Sequence, residues 1–330
     1  MNDRAISLLE NYDFTVNKTK KGRGAMIAET DRGLKLFAEY TGPKEKVDLQ
    51  EALMNRTKAA GFLNIDCFVR NKEDSILSID YDGKAYIVKD YYSAGECTVS
   101  DWEECKKAAT SLAKLHKAMR GHLLEYPLSI SKEAFATEFQ KRDAELKRVR
   151  NFIRKTSRKS DFEILFLECF SHFEKQAEKA AGYLNEQTAE ALCERIKKEG
   201  MFCHGDCSHH NILIEENNVF IINFEKFKQD IQVKDLALFL RKILEKNNWS
   251  GGLGLDMLNA YEQVLPFTKE EVRYIYARLI YPEKFWKIAN GYLNQRKSLP
   301  SKRQKEKLEA LLAGEEARRE FLDLFEKTYQ

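Results

Sequence analysis

Near residue 100 the chain changes its hydrophobic period, and few folds accommodate that change. Before it, short segments rich in β-branched and aromatic residues alternate with Gly, Asp and Lys turns, the period-two signature of strands. After it, long charged segments place apolar residues at helical spacing. Residues 14–19, 25–30 and 34–40 predict three strands, separated by Lys21-Gly22-Arg23-Gly24 and Thr30-Asp31-Arg32-Gly33. Residues 47–60 predict one helix that stops at Gly61, and further strands are expected near 67–70, 75–80 and 84–89. Helices are then predicted over 102–120, 133–155, 162–184 and 187–198, and again from 233 onward.

One interruption breaks the helical series. Ile212-Leu213-Ile214 and Val219-Phe220-Ile221-Ile222 flank Asn217-Asn218, the pattern of a β-hairpin. The expected fold class is therefore α+β with two lobes, since 330 residues exceed one comfortable core. Residues 1–97 form a small β-rich lobe with one helix, ending in a hinge at about 90–97. Residues 98–330 form a large, mainly helical lobe with the embedded hairpin.

Composition removes several classes of function. Lys plus Arg number 55 and Asp plus Glu 52, which excludes a generally basic nucleic-acid binder. No apolar run approaches the roughly 20 residues that span a bilayer, and residues 1–11 lack the order of a signal peptide. No membrane partner is expected. Seven cysteines, an odd number without a CxxC pair, argue against a disulfide framework or a zinc ribbon. Synthesis in the reducing cytoplasm is expected.

The chemistry concentrates in Cys203-His204-Gly205-Asp206-Cys207-Ser208-His209-His210-Asn211. An Asp followed five residues later by an Asn, just ahead of a hairpin, has the spacing of a kinase catalytic loop. The Asp has to reach the proton of an incoming hydroxyl, and the Asn oxygen a metal on the nucleotide phosphates. Gly205 in place of Arg points toward small-molecule kinases. Twelve residues after Asn211, where a magnesium-binding Asp is expected, stands Asn223, whose amide oxygen is a weaker ligand for a hard cation. Two readings follow: Glu225 compensates by turning inward, or the site no longer supports catalysis.

The chain resembles the aminoglycoside phosphotransferase and choline kinase group of the protein-kinase-like fold. Within that group it is most similar to the CotS family of spore coat proteins. The resemblance rests on Gly22-Arg23-Gly24-Ala25, Gly33-Leu34-Lys35-Leu36, Leu112-Ala113-Lys114-Leu115-His116 and His204-Gly205-Asp206. Phe224-Glu225-Lys226, Arg241 to Lys246 and Tyr281-Pro282-Glu283-Lys284-Phe285-Trp286-Lys287 extend it across residues 22 to 287.

The resemblance implies Asp206 as catalytic base or substrate-orienting carboxylate, with Asn211, Asn223 and Glu225 at the metal. ATP and Mg²⁺ are the implied cofactors. Lys35 is the candidate for the nucleotide phosphates, held by an ion pair with Glu51, and Gly22 and Gly24 bring backbone N–H groups toward phosphate. Asp90 and Tyr91 at the hinge are candidates for adenine. Asp235 is expected to begin a helix behind the loop, His204 to anchor the loop backbone, and His116 to be a hydrogen-bonded core residue. The functional expectation is ATP-dependent phosphotransfer to a small hydroxyl compound through an altered metal site. The alternative is a catalytically silent pseudokinase serving as a structural or binding component of the spore coat, beside other coat proteins. Residues 141–159 carry nine Lys or Arg against two acids, which suits either an anionic acceptor or a solvated helix face.

Overall fold

The computed structural model describes residues 7–22, 25–123, 130–294 and 301–329. The first third forms strands β1 (Val16–Lys21), β2 (Met26–Thr30), β3 (Gly33–Tyr40), β4 (Phe68–Val69), β5 (Ser78–Ile79) and β6 (Ala85–Asp90), with helix α1 at Lys44–Ala59. The strands pair antiparallel in the order β1-β2-β3-β6-β4, and β5 also pairs β6. Because side chains alternate across a strand, β3 and β6 serve two separate clusters. On one face Phe37, Tyr86 and Val88 pack with Leu9, Tyr12, Met26 and Ala28, covered by a 3-10 helix at Ser7–Asn11. On the other, Ala38 and Ile87 pack against Val47 of α1 and Ile76.

The segment expected as a plain hinge contains a further strand, β7 (Gly95–Glu96). It pairs antiparallel with β9 (Ile212–Glu215), which itself pairs with β10 (Asn218–Ile221). The edge of the hairpin thus satisfies backbone groups of the connection, a tertiary pairing that no local pattern announces. A second tie joins the lobes where the Ile221 N–H donates to the Asn64 carbonyl at 3.0 Å.

The large lobe comprises α2 (Trp102–Ala118), α3 (Glu133–Lys155), α4 (Asp161–Tyr183), α5 (Glu186–Glu199), α6 (Val233–Lys246) and α7 (Gly251–Glu262). It continues with α8 (Lys269–Ile280), α9 (Glu283–Asn294), α10 (Ser301–Ala313) and α11 (Glu315–Tyr329). The starts follow local chemistry: Asp101 caps α2 through the N–H groups of Glu103 and Glu104, and Ser160 with Glu163 forms a capping box on α4. Strands β8 (Phe202–Cys203) and β11 (Lys228–Gln229) pair on either side of the loop-and-hairpin unit.

The main core joins α2, α6, α7 and α8. A second core sets Phe162, Phe166, Phe170 and Phe173 of α4 against Phe285 and Ile288 of α9. Phe285 stacks on Phe166 at 4.8 Å and on Phe173 at 4.2 Å, so the aromatic run beginning at Tyr281 is core packing. In the basic segment, Arg142 is held by Glu138 and Glu283 and Arg150 by Glu174, while Lys147, Arg148, Arg154 and Lys155 face solvent. Among the described residues no helix is long and apolar enough to cross a membrane, and the seven cysteines are free.

Candidate active site

The loop between β8 and β9 is built on one buried carboxylate. Asp235, in the first turn of α6, accepts the N–H of His204 through Oδ2 at 2.6 Å and that of Gly205 through Oδ1 at 2.9 Å. Burial alone would push its carboxyl up, but the hydrogen bonds from His116 and from the loop backbone hold it below the ordinary value. His116 is itself wholly buried, and desolvation lowers its pKa and keeps the ring neutral. A neutral ring here donates from Nε2 to Asp235 at 3.2 Å and accepts at Nδ1 from the Tyr261 hydroxyl at 2.8 Å.

His204, also buried, bridges within the loop. Its Nε2 lies 2.8 Å from the Ile222 carbonyl and its Nδ1 accepts the Asp206 N–H at 3.2 Å. Gly205 follows with φ +83°, and a Cβ there would lie 1.9 Å from the Lys226 carbonyl oxygen. Both facts demand glycine. This is the physical content of Gly in the middle position of the His-Gly-Asp motif.

Asp206, Asn211 and Asn223 converge. The Asp206 carboxylate, about one-third exposed, accepts from Lys226 Nζ at 2.8 Å, and this contact raises the lysine pKa. Asn211 donates from Nδ2 to the Asp206 carbonyl at 2.8 Å and accepts at Oδ1 from Asn223 Nδ2 at 2.9 Å. Asn223 occupies the left-handed region, φ +68°, which Asn tolerates better than most residues, and its N–H donates to Asp66 Oδ2 at 3.0 Å. Glu225 is 70% exposed along its side chain.

These donors do not fit a protein-held magnesium ion. A hard cation asks for anionic oxygens in a tight octahedron. At the two implied amide positions the Asn211 oxygen is occupied by the Asn223 amide, and Glu225, largely exposed, comes within 3.9 Å of Lys89 Nζ.

The small lobe departs from expectation in several places. Lys35 does not meet Glu51: it lies on the Phe37 face of β3 and pairs with Asp90 Oδ1 at 2.7 Å, while Glu51 pairs with Arg70 at 2.6 Å. Strand alternation explains this correction, because residues 35 and 37 point away from α1. The N–H groups of Asp90 and Tyr91 are also spent, on the carbonyls of Cys67 and Leu34. Gly22 donates its N–H to the Ala25 carbonyl at 2.8 Å, closing the β1–β2 turn. Gly24 lies outside the described residues. His210 contacts Glu96 at 2.6 Å, and His209 lies 3.1 Å from Lys246.

Three residues around the loop had no role in the reading of the sequence: Lys226, named there only within the Phe224-Glu225-Lys226 run, Asp66 and Lys89. Lys89, 1% exposed on β6, pairs with Asp66 Oδ2 at 3.0 Å and approaches Glu225 to 3.9 Å. The signal was a charged Lys89-Asp90 pair closing the apolar run Tyr86-Ile87-Val88. Beside the loop, a pocket of about 890 Å³ opens against residues 227–230, lined among others by Lys46, Glu138, Asp230 and Arg278. Burial opposes ionisation of Glu138, but Arg278, Lys234 and Arg142 outweigh it and hold the carboxyl far below its usual range.

The family model described as "Spore coat putative kinase YutH" matches residues 6–325. Spore coat protein S of Bacillus subtilis (strain 168) is 21% identical over 336 residues, which cover 98% of this chain and 94% of that protein. Among solved structures, the aminoglycoside phosphotransferase from Alicyclobacillus acidocaldarius superposes with a TM-score of 0.87 at 20% identity, covering 98% of this chain and 96% of that one. The spectinomycin phosphotransferase APH(9)-Ia, in complex with ADP and spectinomycin, gives 0.62 at 12% identity, covering 97% and 96%. The fold is thus the bilobal kinase-like one.

Proposed function

Because this chain belongs to the family described as spore coat putative kinase YutH, we propose that it is a nucleotide-binding, kinase-fold component of the spore coat in which magnesium-dependent phosphoryl transfer is suppressed. The single observation that carries this reading is the hydrogen bond from Asn223 Nδ2 to Asn211 Oδ1. Two positions that would hold a cation hold each other. Phosphoryl transfer depends on neutralising charge on the moving group, so loss of the metal carboxylate acts on turnover before it acts on binding.

Residues 1–97 and 98–330 would act as the two jaws, with the hinge at 90–97 and nucleotide between them. A nucleotide is supported by the likeness to a phosphotransferase solved with ADP, and a coat location by the family and by Spore coat protein S. A second reading, slow ATP-dependent transfer to a small hydroxyl compound, is favoured by one feature. The pocket of about 890 Å³ is lined by residues 227–230, which follow directly in the chain on Lys226, the lysine that pairs with Asp206.

Thermal denaturation with ADP or ATP, in EDTA and in excess Mg²⁺, tests the proposal. At a hundredfold excess over Kd, binding adds about 2.7 kcal/mol and raises the midpoint by a few degrees. That rise is expected in EDTA and unchanged by Mg²⁺. Asn223→Asp is expected to make it Mg²⁺-dependent. ATP turnover by the wild type that Asp206→Ala abolishes would overturn the silent reading in favour of the second.

A further inference from the structure

We propose that Lys89 is the lysine that receives the nucleotide phosphates, with Asp66 as its positioning counterion. The inference rests on the nucleotide-binding reading above and deepens it. Register and alternation carry the argument. On β3 the side chains that share the cleft-facing side with α1 are Leu34, Leu36, Ala38 and Tyr40, none of them a cation, so β3 offers no cation there. Directly across from Leu36 on β6 stands Lys89, on the same face as Ile87. It is aimed at the loop that carries Asn223 and Glu225, whereas Lys35 is aimed away from it.

The surroundings of Lys89 resemble a prepared phosphate contact rather than a stabilising core pair. Lys89 is 1% and Asp66 4% exposed, and burying two charges gains little over packing two apolar side chains. The pair is also incompletely satisfied: Asp66 Oδ1 is buried without a hydrogen-bond partner. Asp66 Oδ2 holds both Lys89 Nζ and the Asn223 N–H, so the ammonium is tied in position to the residue at the former metal place. An ammonium has three hydrogens to donate, and among the described residues Asp66 is its hydrogen-bond partner. Glu225, 3.9 Å away and largely exposed, has solvent to move into when an anion arrives. A fixed cation here would neutralise phosphate charge without a metal.

The test is calorimetric titration of the full chain, in EDTA, with ADP and with adenosine. Wild type is expected to prefer ADP. Lys89→Met should reduce ADP affinity about tenfold or more, the effect of one charge-assisted hydrogen bond, while adenosine affinity stays within twofold. Since Lys89→Met leaves Asp66 buried and unpaired, Lys89→Met/Asp66→Asn supplies a variant without a stranded charge, and the same loss is expected there. Lys35→Met should keep the full preference. The proposal is overturned if the double variant retains the preference, or if Lys35→Met is the change that removes it. Equal wild-type affinity for ADP and adenosine would also overturn it while leaving nucleoside binding intact. Binding of neither would overturn the nucleotide reading itself, and this inference with it.

Discussion

Gly205→Ala isolates the packing on which the loop depends. A Cβ at this position would sit 1.9 Å from the Lys226 carbonyl oxygen and 2.7 Å from its carbon. That is about 1.5 Å short of an ordinary contact. Both clashing atoms are backbone, so no rotamer change relieves them. Segment 226–229 would have to move, drawing Lys226 from Asp206 and loosening the pairing of β11 with β8. Left-handed strain contributes about 1–2 kcal/mol and forced repacking about 1–3 kcal/mol, a total of about 2–5 kcal/mol. Gly33 provides the control, because it has the same φ of +83° and no heavy atom within 4 Å of its virtual Cβ. Gly33→Ala is expected to cost the strain alone. With a urea slope of roughly 3 kcal/mol/M, the two variants should differ in midpoint by about 0.3–1 M when followed by circular dichroism at 222 nm. Equal losses within about 0.5 kcal/mol would refute the steric argument and leave Gly205 explained by φ alone.

Acid sensitivity tests the buried support of the loop. The folded pKa of His116 lies below that of the unfolded chain, near 6.5, so stability is full above about pH 6.5 and falls as pH drops below it, because the unfolded state takes the proton first. Asp235 is also depressed, and as a carboxylate its contribution persists down to about pH 4 and is lost below. His116→Gln should therefore remove up to about 1.36 kcal/mol per pH unit from the slope between pH 6.5 and 5, while His209, lowered in the same direction, keeps its share. An unchanged slope in urea titrations across that range would count against the neutral-ring assignment. Phe285→Ala, which empties the stack on Phe166 and Phe173, should cost about 3–5 kcal/mol and leave any ADP-induced midpoint shift intact; a cost under about 1 kcal/mol would mean the second core collapses around the gap.

The helices and the three-strand meander were readable because each is specified by short-range chemistry: period, caps and turn glycines. Helix α3 matches the span expected from its pattern, Glu133–Lys155, and the hairpin falls on the apolar runs that announced it. What a single sequence conceals is the face to which a strand residue belongs. Lys35 sits in a motif that resembles a phosphate lysine, and its neighbours Leu34 and Leu36 are apolar on either side. Nothing local says which of these faces α1; the register β3-to-β6 and the cover of Ser7–Asn11 decide it. A one-residue offset moves the cation from cleft to outer face. The Asp66–Lys89 pair was hidden for a related reason: its members come from a loop and a strand 23 residues apart, joined by the approach of Asn223 from the other lobe.

The amide at 223 and the ammonium at 89 bear on the same electrostatic requirement. In a transferring kinase, charge that develops between the β- and γ-phosphates is met by metal ions bridging both groups. One ammonium fixed on Asp66 meets charge at a single place, and it meets the ground state of a bound nucleotide as well as it meets any later state. Interactions of equal strength in ground and transition states tighten binding without accelerating chemistry. On the proposed reading, Asn223 would remove the element that distinguishes the two states, and Lys89 would keep one that does not. A cleft so arranged would, on that reading, keep a reason to hold a nucleotide after losing its metal-dependent means of cleaving one.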